Sequence, residues 1–125
     1  MRLSQACTES EVESLETFAG VALPASYRNW LLAAGRSPPS RLIGSDCHYS
    51  VLFKLKEWAQ ECLVESGSQF QLLPQHFVFF MHQGYHFLYF DASETDPAVY
   101  EYLEGWAEPE YSGSSFSQWL NREVD

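Results

Sequence analysis

The chain has 125 residues, a formal net charge of −10, 46% hydrophobic and 16% aromatic side chains, which suits one domain built around one core. This composition excludes intrinsic disorder, and no apolar run approaches the ~20 residues of a membrane-spanning helix. The acidity is one-sided: residues 1–56 hold six basic and five acidic side chains, whereas residues 57–125 hold twelve acids and one base, Arg122.

Such a surface repels nucleic acid and anionic membrane and attracts basic partners, although acidity also serves plain solubility. The opening MRLSQACTESEVES has no apolar stretch of the signal-peptide kind. Cys7, Cys47 and Cys62 are odd in number and lack CxxC spacing, so reduced thiols in a cytoplasmic protein are expected.

Thr8-Glu9-Ser10-Glu11 reads as a capping box, because the Thr hydroxyl can accept the Glu11 amide while the Glu carboxylate reaches back. Val12, Leu15, Phe18 and Ala19 follow at helical spacing, which predicts a helix over about 9–19 with Gly20 as its stop. Pro24 suits the start of a second helix. Tyr27, Trp30, Leu31 and Ala34 give it an inner stripe over about 25–34, closed by Gly35.

Residues 36–50 are rich in Ser, Pro and Gly and read as a segment wound around the core. A short strand is expected near 41–44 and another over 49–53. Leu55, Trp58, Ala59, Cys62 and Leu63 predict an amphipathic helix over about 54–65, with Lys56, Glu57, Gln60, Glu61 and Glu65 opposite and Ser66-Gly67-Ser68 ending it.

The run HFVFFMHQGYHFLYF at 76–90 reads as a hairpin turning at Gln83-Gly84. A two-residue turn pairs His82 with Tyr85, Met81 with His86 and Phe80 with Phe87. Val78, Phe80, Phe87 and Tyr89 then share one face; Phe77, Phe79, Met81, Leu88 and Phe90 share the other. Both faces are apolar, so both are expected to be covered, and His82 and His86 fall on opposite sides. After a loop comes a third strand over 98–103, then an acidic loop over 104–113, then a helix over about 115–123 capped by Ser114 or Ser115, with Phe116, Trp119 and Leu120 inward. Helices before, between and after an antiparallel sheet predict a single α+β domain over 1–125.

Chemical motifs are sparse. No H-E-x-x-H, His/Cys cluster or calcium loop is present, so no metal and no cofactor is expected. Cys47-His48 are sequence neighbours and no third group orients them; no G-x-S-x-G occurs. A carboxylate pair of the glycosidase type could arise among twelve acids, but by chance alone. No catalytic residue is assigned, and the protein is expected not to be an enzyme. Residues 91–111 form the candidate partner-binding surface: Glu94, Asp96, Glu101, Glu104, Glu108 and Glu110 interleave with Tyr102, Trp106 and Tyr111. Aromatics supply burial and acids supply steering toward a basic partner; equally, the aromatics could be core and the acids a solvated rim.

The order of motifs resembles the SUKH superfamily, the Smi/Knr-type domain. The likeness rests on the Glu11–Leu15 helix, Leu23-Pro24 with Tyr27, Trp30-Leu31 and Gly35, then FVFFMHQGYHFLYFD, Asp96-Pro97-Ala98-Val99-Tyr100 and Ser115-Phe116-Ser117-Gln118-Trp119-Leu120. It spans nearly the whole chain. The Asn-Gly frequent in the family after the second helix is here Ala34-Gly35-Arg36. The resemblance implies a non-enzymatic α+β domain. Bacterial members are commonly immunity proteins against contact-delivered toxins, many of them nucleases; fungal members are regulators that bind signalling proteins. The expectation is therefore an immunity protein that binds and neutralises a cognate, basic toxin, as monomer or weak dimer. A regulatory or scaffold module of the same fold is the alternative, and a small carbohydrate-active enzyme a more distant one.

Overall fold

The computed structural model describes residues 6–36 and 45–124. The first helix, α1 (Glu9–Ala19), carries the expected capping box: the Thr8 hydroxyl accepts the Glu11 N–H at 3.1 Å, and the Glu11 carboxylate accepts the Thr8 N–H at 2.9 Å. Gly20 ends it in the left-handed region, at φ 76°, where a side chain would be strained. Next, α2 (Ala25–Ala34) starts directly after Pro24. Arg28 ties the two helices, donating to Glu9 at 3.0 Å and Glu16 at 2.9 Å.

The strand expected over 49–53 is instead the start of a 17-residue helix, α3 (Tyr49–Glu65). Its β-branched and aromatic residues favour extended backbone only weakly, and tertiary burial decides. Leu52 continues the stripe of Leu55, Ala59, Cys62 and Leu63 one turn further back, and all five are buried. The strand expected near 41–44 lies outside the described residues. A two-residue strand, β1 (Ser45–Asp46), leads into this helix.

The hairpin forms as β2 (His76–His82) and β3 (His86–Asp91), but in a different register. The turn takes three residues, with Gln83 at φ 52° and Gly84 at φ 80°. His82 therefore pairs with His86, Met81 with Phe87 and Phe80 with Leu88. A bulge at Phe79 absorbs the extra residue, and the expected pairs Val78–Tyr89 and Phe77–Phe90 return beyond it. Phe80 thus moves to the face of Phe77, Phe79, Leu88 and Phe90, and Met81 to the other. His82 and His86, as direct cross-strand partners, share a face.

The third expected strand is β4 (Ala98–Leu103). The acidic loop ends earlier than expected, since β5 (Glu110–Ser115) pairs with β4 and forms the sheet edge. EYSGSS lacks the apolar alternation that marks a half-buried strand, because an edge strand buries little. Its pairing shifts between Ala98 and Tyr100, with Gly113 at φ 91°. The chain closes with α4 (Phe116–Val124), where Ser115 and Gln118 form a second reciprocal cap: the Ser115 hydroxyl accepts the Gln118 N–H, and the Gln118 carboxamide accepts the Ser115 N–H.

The sheet is antiparallel in the order β1-β2-β3-β4-β5, and with the four helices among the described residues it makes the expected α+β domain. Tyr27 of α2 packs against Phe77, Phe79 and Phe90, and Phe116 and Trp119 of α4 join them on the same face. Helix α3 packs on β2, and Val78 and Met81 of β2, with Phe87 of β3 and Tyr102 of β4, face the side opposite Phe79 and are fully buried. Both faces of the hairpin are covered, as its two apolar stripes require.

Candidate partner-binding surface

The nine residues singled out in sequence are dispersed by the sheet. β4 has six residues, so the loops at its two ends stand about 17 Å apart. Glu94 and Asp96 lie in the loop between β3 and β4. Glu104, Trp106 and Glu108 lie in the loop between β4 and β5, at the far end.

Near the first end, Asp96 has a structural partner. Its carboxylate accepts the Ser117 N–H at 3.0 Å, in the first turn of α4. Partial burial pushes its pKa up, but hydrogen bonds from Ser117, and from Ser115 and Ser26, outweigh that and hold it below the usual aspartate value. The loop also meets α2, with Thr95 O accepting from the Ser26 hydroxyl at 3.2 Å. Glu94 is exposed there.

At the second end, the acidic loop is tethered on three sides. The Ser68 hydroxyl donates to Ala107 O at 2.7 Å, and the Gly105 N–H donates to the Ser66 hydroxyl at 3.4 Å, both just beyond α3. The Glu104 N–H donates to Tyr85 O at 2.8 Å in the hairpin turn. Tyr102 is fully buried beneath, and its hydroxyl donates to Trp106 O at 2.8 Å. Tyr102 therefore supports the loop from the core, and Trp106 is half-buried over it. Glu104 and Glu108 are left pointing into solvent on a held backbone. Glu110 and Tyr111 follow on the edge strand, where Tyr111 is 58% exposed.

The strands then divide the remaining acids. Tyr111 pairs with Tyr100 on the α3 side of the sheet. Glu110 pairs directly with Glu101 on the α4 side, which sets two like charges opposite each other. Glu101 meets His86 at 3.2 Å, an ion pair only when the imidazole is protonated. Glu101 also lines a cleft of about 280 Å³ between the sheet and the end of α4, together with Phe80, His86, Leu88, Ser112, Trp119, Arg122 and Glu123. Sequence reasoning missed this cleft. Its members come from β2, β3, β4, β5 and α4, and only the register brings them together.

Glu101 and Glu123, the two carboxylates of the cleft, are both partly open to solvent. Among the described residues, no group of three or more His, Cys, Asp or Glu side chains is placed to hold a metal ion, and no helix is long and apolar enough to cross a membrane. All three cysteines are buried and free.

A model of the SMI1/KNR4 family (SUKH-1) matches residues 6–122. No curated protein matches the chain.

Proposed function

The chain belongs to the SMI1/KNR4 family (SUKH-1), a family known in general for toxin-immunity domains, and from that premise we propose that it is a cytoplasmic, non-catalytic immunity protein that binds and neutralises a basic toxin. The observation that carries this reading is the tethered acidic loop. Glu104 and Glu108 stand exposed on backbone pinned by Ser66, Ser68 and Tyr85, and the exposed edge strand follows with Glu110 on its α4 side and Tyr111 on its α3 side. A pre-ordered loop loses little conformational freedom on docking, so more of its interaction energy reaches the affinity. Its carboxylates speed encounter with a positive partner, and Tyr111 supplies an aromatic anchor. If the toxin is a nuclease, the loop opposes the basic groove that would otherwise hold phosphates.

The test is the triple charge reversal E104K/E108K/E110K. The protein is co-expressed with the product of each gene that adjoins its own, captured, and assayed for protection of cells exposed to that product. Capture and protection should both fall sharply, and the loss should shrink at high salt. Unchanged capture and protection would overturn the electrostatic reading. Failure of any neighbouring toxin to bind the unaltered protein would favour a regulatory module instead.

A further inference from the structure

We propose that the cleft between the sheet and the end of α4 is a receptor for one arginine side chain of the partner. The inference rests on the reading of the acidic end of the sheet as partner-facing, and names what that end grips. The cleft, at about 280 Å³, falls below the ~300–1,000 Å³ of pockets that hold whole small molecules, and suits a single side chain. Phe80, Leu88 and Trp119 line it with apolar surface, against which a methylene stem can lie. Glu101 stands at its wall with one carboxylate oxygen toward His86 at 3.2 Å. Its other oxygen has no hydrogen-bond partner among the described residues.

Charge favours a cation there. Glu101 and Glu123 outnumber Arg122 in the lining, and Glu110 stands directly across from Glu101 on the same face. A like-charge cross-strand pair weakens a sheet, and a cation set beside it relieves the repulsion. The planar, delocalised guanidinium matches a carboxylate with two parallel hydrogen bonds, which the point charge of lysine cannot do. His86 in the lining pairs with Leu103, the residue before the acidic loop, so the cleft reaches toward that end of the sheet. A toxin steered by Glu104 and Glu108 would thus have an anchoring pocket close by.

Arg122 gives the proposal a sign. It opposes a guest cation and would attract a guest anion. The test titrates the isolated, isotope-labelled protein with N-acetyl-arginine amide, and in parallel with N-acetyl-lysine amide and N-acetyl-glutamate amide, following the Trp119 indole and His86 resonances. The arginine probe should shift both resonances saturably, more tightly than the lysine probe. Glu101→Gln should weaken it several-fold, and Arg122→Gln should tighten it. Absence of a shift in the folded protein would overturn the proposal. So would unchanged binding by Glu101→Gln, weaker binding by Arg122→Gln, or preference for the glutamate probe. No partner is present in this titration, so its failure leaves the loop-charge result standing, and the reverse also holds.

Discussion

Phe79 and Phe80 are consecutive in the chain, yet both rings lie against the one indole of Trp119, at 5.1 and 5.6 Å between centroids. In a regular strand they would point to opposite faces. The bulge turns both toward α4, and it does so because the hairpin turn uses three residues rather than two. That extra residue therefore sets the floor of the cleft as well as the core behind it.

Phe79 also packs on Tyr27, Phe90 and Phe116, so Phe79→Ala should destabilise by ~3–5 kcal/mol in urea unfolding. Phe80 borders the open cleft, where neighbours and solvent can adjust, and Phe80→Ala should cost clearly less. Equal losses would mean that the two rings do not occupy these different surroundings.

Tyr27 sits at the centre of the aromatic cluster, and its hydroxyl is buried with no hydrogen-bond partner among the described residues. Burial raises the phenol pKa well above its ordinary value. An unsatisfied buried hydroxyl carries a desolvation penalty of about 1–3 kcal/mol. Tyr27→Phe should accordingly be neutral or stabilising in thermal melts, while Tyr27→Ala should lose ~3–5 kcal/mol as other large core truncations do. A clear loss in Tyr27→Phe would reveal a partner for the hydroxyl.

The helices were legible because capping chemistry and apolar spacing are local. Thr8, Gly20, Pro24 and Gly35 mark boundaries without reference to the rest of the chain. Three things were not local. Residues 49–53 look extended by propensity, but Leu52 is buried in register with Leu55. β5 carries no apolar alternation, because its value lies in pairing with β4. The register of the hairpin depended on whether Tyr85 belonged to the turn or the strand, and a one-residue slip exchanges faces. The acidic surface was visible as composition. Its separation into a capping acid, a tethered loop and a cleft follows from strand direction, which composition does not encode.

The Asp96 carboxylate accepts the Ser117 N–H in the first turn of α4, and pH tests that contact. Its folded pKa is depressed below the unfolded one, so its contribution is fully present above the unfolded pKa. It is lost as pH falls through the folded value. Asp96→Ala should lower stability by ~0.5–2 kcal/mol at neutral pH, the range of a side-chain cap at a helix start. The gap between the variant and the unaltered protein should close in strong acid. A gap independent of pH would assign the loss to something other than the carboxylate.

Thiol reactivity should report unfolding. Burial pushes Cys47 up to about 12, with Asp46 adding to it, and pushes Cys7 to about 11, with Glu11 adding to it. The reactive thiolate is therefore scarce at mildly alkaline pH, and access is closed as well. Iodoacetamide should modify these two thiols slowly in the native protein and fast in urea. Rapid native labelling of Cys47 would contradict its burial.

The proposed function depends on the acidic loop being held before a partner arrives, and Ser68 is the most direct place to test that. Its hydroxyl donates to Ala107 O at 2.7 Å, and it lies beyond the end of α3, away from the acids themselves. Ser68→Ala removes the tether without altering charge. The same hydroxyl accepts the Phe70 N–H at 3.2 Å, so two hydrogen bonds are lost at about 0.5–1.5 kcal/mol each, and the melting temperature should fall by several degrees. Hydrogen exchange at the Glu104, Gly105 and Trp106 amides, which donate to Tyr85 O, the Ser66 hydroxyl and Leu103 O, should quicken, because the loop then opens without the rest of the sheet. Affinity for a basic partner should drop through faster dissociation, since ordering the loop becomes part of binding. Faster exchange with unchanged affinity would separate the loop from the interface. Unchanged exchange would show that the remaining contacts, Ser66 and Tyr85 chief among them, hold the loop alone.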